Sequence, residues 1–166
     1  GKNDMWKEQK VSMIFPTYRE KDSICKATID CAKTGVIDEV IVVNNNAEVG
    51  TTQEVDKARE WVKASGLKCD VIEVLETTQG YGAAILRGFD EAKGYFICVS
   101  EPDGTFVTED IFKLLSYSDD FDVVFGTRTS NILIGEGANM GFFMKWANFA
   151  IAKIIEVLFN TTQLTD

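Results

Sequence analysis

A mainly parallel α/β sheet with helices on both faces is the fold this chain predicts, on three observations. Five short apolar runs rich in β-branched and aromatic residues recur along it, helical stretches lie between them, and a polar segment follows each run. Short continuous apolar runs suit parallel strands buried on both sides. Strands that alternate with helices imply right-handed crossovers within one sheet.

The first run, Val11 to Phe15, leads to Asp22, which can cap a helix whose Ile24, Thr28 and Cys31 share a face and which stops at Gly35. Val40 to Val43 is the second strand. Thr51 or Thr52 opens the next helix, with Val55, Ala58 and Trp61 or Val62 facing inward and Gly66 at its end. Val71 to Leu75 is the third strand, followed by a helix over Gly82 to Lys93 that Gly94 stops. Tyr95 to Val99 is the fourth, after which Thr108 caps a helix through Leu115, and Val123 to Phe125 is the fifth. No repeat, low-complexity tract or interdomain linker interrupts the pattern.

Composition narrows the function. The 166 residues, 45% hydrophobic, suffice for one well-buried core. With 26 acidic against 17 basic residues and a net charge of -9, nucleic acid is excluded as a partner, because no basic stripe exists to displace counterions. The absence of histidine excludes a histidine-based triad and a histidine-ligated zinc. Cys25, Cys31, Cys69 and Cys98 form no C-x-x-C pair, so reduced core thiols in a cytosolic setting are expected. Gly1 to Lys10 is polar and does not read as a signal peptide, and the leading Gly1 reads as a tag remnant.

The chemistry gathers at the strand ends. In an open parallel sheet the ligand crevice lies outside the carboxyl ends of the strands, and here those ends carry Pro16-Thr17-Tyr18-Arg19-Glu20, Asn44-Asn45-Asn46, Thr78-Gln79-Gly80-Tyr81-Gly82, Glu101-Pro102-Asp103 and Gly126-Thr127-Arg128. Glu101 and Asp103, held two residues apart by a stiff proline and followed by Gly104, can grip a hard divalent cation whose other ligands are phosphate oxygens and water. The same residues also read as a plain Pro-Asp-Gly surface turn. Tyr18 offers a stacking face for a base, while Glu20 and Asn44 can hydrogen-bond a ribose or base edge. Gly80 and Gly82 let backbone approach an anion at a helix start. Arg128 supplies a planar cation suited to phosphate. Singly, each has a plain alternative: turn-forming asparagines, strain-relieving glycines, a surface arginine.

Met140 to Phe159 is long and strongly apolar, yet Lys145, Lys153 and Glu156 interrupt it. A membrane span wants about 20 largely uncharged residues, so this segment does not read as transmembrane. Three readings stay open: a core helix covering the sheet, a helix lying in a bilayer interface, and an oligomer interface.

The order VSMIFPTYRE, VIVVNNNAEVGT, TTQGYGAAILRGFDEAKG, FICVSEPDGTF and DVVFGTR resembles the family 2 glycosyltransferases of GT-A fold, particularly the polyprenyl-phosphate sugar transferases of the dolichol-phosphate mannose synthase type. The resemblance runs from Val11 over nearly the whole chain. It implies a Rossmann-like GT-A domain over 11–137, preceded by a disordered or tag-proximal segment 1–10 and followed by the apolar helix 138–160 and a truncated end 161–166. It puts Pro16, Tyr18, Glu20 and Asn44 where the family holds the nucleoside, Glu101 and Asp103 on its metal motif, Thr105 where some members complete the metal shell, and Arg128 where substrate phosphate is contacted. Three departures stand out: Glu101 replaces the usual aspartate, Asn44-Asn45 replaces a pair of aspartates, and the chain stops at Asp166, where an acid and arginine segment usually continues. Asp166 matches the first residue of that segment.

The activity implied is inverting transfer of a sugar from a UDP- or GDP-linked donor to a polyprenyl phosphate or growing glycan, in cell-envelope polysaccharide or glycolipid synthesis. A divalent cation, Mg or Mn, held by Glu101, Asp103 and Thr105, is the implied cofactor. A phosphate acceptor needs no general base; for a hydroxyl acceptor Asp166 is the candidate. The implied location is cytoplasmic, peripheral at the inner face of a membrane, whose surface is a candidate partner. Two other classes stay open: a nucleotidyltransferase, although no glycine-rich basic loop follows Phe15, and a non-catalytic nucleotide-sugar binding module.

Overall fold

The computed structural model describes residues 10–94 and 96–102, together with the backbone of two strands at 123–126 and 131–135. In chain order the elements are β1 (Val11–Thr17), α1 (Lys21–Lys33), β2 (Glu39–Asn44), α2 (Thr51–Ser65), β3 (Asp70–Leu75), α3 (Tyr81–Glu91), β4 (Phe96–Val99), β5 (Val123–Gly126) and β6 (Asn131–Gly135). The strands form one sheet in the order β3-β2-β1-β4-β6-β5. Strands β1 to β4 pair in parallel, whereas β6 runs antiparallel to both β4 and β5. β5 therefore points the same way as the first four strands, but β6 is wedged between it and β4. The five-strand expectation lacks β6, because Ile132-Leu133-Ile134 is too short a run for its period to declare itself.

Alternation along the strands divides the core between the two faces. Val11, Met13 and Phe15 of β1 join Val40 and Val42 of β2 under Ile24, Ala27 and Cys31 of α1 and Val55 and Val62 of α2. Ile14, Ile41, Val43, Ile97 and Val99 point the other way, onto Ala84, Ile85 and Phe89 of α3. Helices thus cover both faces. Gly88 lets α3 close on β1, since a Cβ there would stand 2.5 Å from Ile14 Cγ2.

Local chemistry sets the helix ends, with some shifts from expectation. Asp22 lies in the first turn of α1 and does not cap it; Glu20 is the N-cap residue, its carbonyl accepting from Ile24 N at 2.9 Å. Gly50 and Gly66 flank α2 with φ of 99° and 74°, conformations that cost glycine little. Val62 faces the core and Trp61 stays 40% exposed, which resolves that pair. α3 starts at Tyr81, one residue before the expected Gly82, and ends at Glu91.

At the amino-terminal edge of the sheet, Ser12 Oγ donates to Glu39 Oε2 at 2.5 Å, and that carboxylate also accepts Lys93 N at 2.6 Å. The approach to β4 is thereby tied to β1 and β2. The cysteines are free thiols; Cys31, Cys69 and Cys98 are core residues as expected, whereas Cys25 is only half-buried. Burial pushes the Cys98 thiol up to about 12. The expected helix from Thr108 to Leu115, the apolar segment from Met140 to Phe159 and the first nine residues lie outside the described residues. Among the described residues no helix is long and apolar enough to cross a membrane.

Candidate functional site

The chain runs outward from β1 to β2 and β3, then returns through α3 to β4 on the other side of β1. This makes the gap between the carboxyl ends of β1 and β4 the topological switch point, where open α/β sheets bind ligands. Pro16 opens that gap. The β1–β4 register runs from Val11↔Phe96 to Ile14↔Val99, and Ser100 N still donates to Ile14 O at 3.1 Å. A parallel ladder would next take a bond from residue 16 to Ser100, but proline has no N–H to give. The pairing stops there while β1 continues beside β2, with Pro16 opposite Val43.

Beyond Pro16 the chain turns sharply. Glu20 Oε2 accepts Tyr18 N at 2.6 Å, which closes the turn and leaves Tyr18 42% exposed, with the Arg19 guanidinium 5.2 Å from its ring centroid. One carboxylate oxygen of Glu20, expected to meet the nucleoside, therefore has a role in the turn. Across the gap Glu101 is half-buried and Pro102 buried, and Ser23 Oγ of α1 donates to the Pro102 carbonyl. The first turn of α1 thus fastens the segment that leads into Asp103.

The third wall comes from β2 and the loop before α3. Asn44 Oδ1 accepts Ala47 N at 2.9 Å, leaving its Nδ2 without a partner among the described residues. Asn45 is 3% exposed, and its amide reaches Glu76 O at 2.8 Å and Thr78 O at 2.7 Å, while its Oδ1 accepts Gly80 N at 3.0 Å. Asn46, at φ 55°, donates to Thr77 O and Gln79 Oε1. The three asparagines are therefore more than turn formers. Sequence reasoning names Asn45 in the polar run and as a departure from the family's aspartate, but gives it no role of its own; its contacts do.

Gly80 is the N-cap of α3 at φ 141°, and a Cβ on Gly80 or Gly82 would meet nothing within 4 Å among the described residues. Packing among the described residues does not demand glycine at 82. The first-turn amides of α3 have no intrahelical acceptor and favour an anion.

The described residues thus bring Pro16, Tyr18, Glu20, Asn44, Gly80, Gly82 and Glu101 to one edge of the sheet. Asp103, Thr105, Arg128 and Asp166 lie outside them. Glu101 supplies a hard oxygen donor at the switch point, which fits a divalent cation, although the described residues contain no group of three or more acidic or cysteine side chains able to hold one by themselves. Any such cation would need further ligands from Asp103, Thr105 or a phosphate.

A mainly parallel sheet, helices on both faces and polar loops at the switch point define the class: this is a GT-A fold. The chain belongs to Glycosyl transferase family 2, whose profile matches residues 12–151. It is 30% identical over 142 residues to a dolichol-phosphate mannosyltransferase of Pyrococcus furiosus, a match covering 82% of this chain and 37% of that protein. It is 27% identical over 128 residues to an undecaprenyl-phosphate 4-deoxy-4-formamido-L-arabinose transferase of Salmonella paratyphi B, covering 74% and 38%. Among solved structures, mannosyltransferase PcManGT of Pyrobaculum calidifontis, in complex with GDP-Man and Mn2+, superimposes with a TM-score of 0.60 at 18% identity, covering 76% of this chain and 44% of that one. The chain therefore spans less than half the length of these relatives.

Proposed function

We propose that this chain carries the donor site of a glycosyltransferase that moves a sugar from a nucleoside diphosphate sugar to an acceptor, a polyprenyl phosphate or a growing glycan, with inversion at the anomeric carbon. The observation that carries the reading is the convergence of the Tyr18–Glu20, Asn44, Gly80–Gly82 and Glu101 loops at the switch point of a family 2 chain. The acceptor class rests on the names of the two relatives, both polyprenyl-phosphate sugar transferases.

In this reading Tyr18 stacks on the base and Asn44 hydrogen-bonds the nucleoside. Glu101, Asp103 and Thr105 would hold a divalent cation, Mg or Mn, as the Mn2+ in the Pyrobaculum complex suggests. When bound, the cation supplies charge neutralisation and Lewis acidity to the departing diphosphate. The α3 amides at Gly82 and Ala83 and the Arg128 guanidinium stabilise the same negative charge as the bond to the sugar breaks. A phosphate acceptor attacks already ionised, so no residue need remove a proton; for a hydroxyl acceptor Asp166 is the base. The apolar segment from Met140 to Phe159 would hold the chain at the inner face of a membrane, next to a lipid acceptor.

Thermal shift with UDP and GDP, each with and without Mn2+, tests the donor site. A ligand at about 100 times its Kd stabilises a fold by roughly 2.7 kcal/mol. The expected result is a cation-dependent rise in melting temperature with one nucleotide, lost in Asp103→Ala. Silence with both nucleotides would refute the donor site, and binding without sugar transfer in the presence of acceptor would turn the reading toward a non-catalytic nucleotide-sugar module.

A further inference from the structure

We infer that Asn45 is a positioning residue for the donor diphosphate: its buried carboxamide sets where the amino terminus of α3 stands relative to the nucleoside loop. The inference rests on the donor-site reading above and names a residue which that reading does not use. Every hydrogen-bonding atom of the side chain is engaged. Nδ2 donates to Glu76 O at 2.8 Å and Thr78 O at 2.7 Å, so both amide hydrogens are spent on carbonyls of the β3–α3 loop. Oδ1 accepts Gly80 N at 3.0 Å, with Gln79 Nε2 at 3.4 Å as a second donor. The assignment of oxygen and nitrogen is dictated by these partners, because the reverse orientation would set an oxygen against two carbonyls.

The backbone of the same residue supplies the other half of the link. Asn45 N donates to Thr17 O at 3.0 Å, and Glu48 N to Tyr18 O at 3.1 Å, so this segment is pinned to the end of β1. One buried residue therefore joins the loop that presents Tyr18 to the loop that presents the α3 amides. Gly80 at φ 141° marks why such a clamp is needed. The backbone there can adopt many conformations, and without a partner for its amide the direction of the following helix turn is poorly determined.

The clamp calls for two donors and an acceptor on one side chain. A leucine at this position has nearly the same size and shape but can neither accept Gly80 N nor donate to either carbonyl. The Asn45→Leu variant therefore removes the clamp and adds no charge.

The test measures GDP and UDP affinity in the presence of Mn2+ for the native chain, Asn45→Leu and the control Thr52→Ala, alongside melting temperatures without nucleotide. Thr52 bonds Glu73 on the outside of the same region. The expected result is a loss of about tenfold or more in affinity for Asn45→Leu, with the control unchanged and cooperative melting retained. Native-like affinity in Asn45→Leu would overturn the positioning role while leaving the donor site intact, whereas a native chain that binds neither nucleotide would refute the donor site and the inference with it. Should Asn45→Leu fail to fold, amide hydrogen exchange on the unmodified chain decides. Gly80 N–H should be protected before nucleotide is added, and Gly82 and Ala83 should gain protection only afterwards; a Gly80 amide that exchanges at the open-loop rate would overturn the inference.

Discussion

At the scale of single residues, polar side chains in this molecule are placed by what their backbone neighbours lack. Glu20 answers the amide of Tyr18, Asn45 answers two carbonyls and an amide, and Glu39 answers Ser12 and Lys93. The thiols follow the opposite rule, since burial disfavours their charged form. The Cys98 thiol is pushed from about 9 to about 12 by desolvation, and Cys69 to about 12 by desolvation with help from Asp70, Asp38 and Glu39. Between those values the folded chain keeps protons that the unfolded chain releases, so stability falls as pH rises through that window. The stabilisation is fully present below about pH 9. Melting temperature should therefore decline from pH 9 upward, and less steeply in Cys98→Ala; equal slopes in the two proteins would remove this thiol from the account.

Elements carry a second set of constraints, those of fit. The order of strands and helices from β1 to β4 was legible from apolar period and glycine punctuation, and most boundaries moved by one or two residues. Cap positions moved because a cap is chosen by local geometry: Glu20 begins α1 through its carbonyl, where sequence chemistry favoured Asp22. Close packing of α3 on β1 was not legible, because Gly88 reads as an ordinary weak point in a helix until Ile14 is seen beneath it. Gly88→Ala should cost about 1–3 kcal/mol by denaturant unfolding, despite the better helix propensity of alanine. An increase in stability would mean that α3 can lift off β1 without penalty.

For the molecule as a whole, the strand order turns separate motifs into one site. Proposed attachment to a membrane also belongs at this scale, since it depends on the sheet edge and the apolar segment acting together. Co-sedimentation with vesicles of mixed zwitterionic and anionic lipid should capture the intact chain and lose the Trp146→Ser/Phe149→Ser variant; equal pelleting of both would refute an interfacial role for that segment. The sequence by itself determined the α/β class, the carboxyl-end location of Pro16, Tyr18, Glu20, Asn44, Gly80, Gly82 and Glu101, and the family, because period, punctuation and motif order are local along the chain. Only the tertiary structure decided that β6 separates β5 from β4, that Pro16 ends the β1–β4 ladder, and that Asn45 clamps two loops. The pairing of β4 with β6, the end of the β1–β4 ladder and the Asn45 clamp depend on contacts between residues some 30 or more positions apart, such as Asn45 with Gly80 at a separation of 35. The side chains specify that pairing only together, once the sheet has brought them into reach.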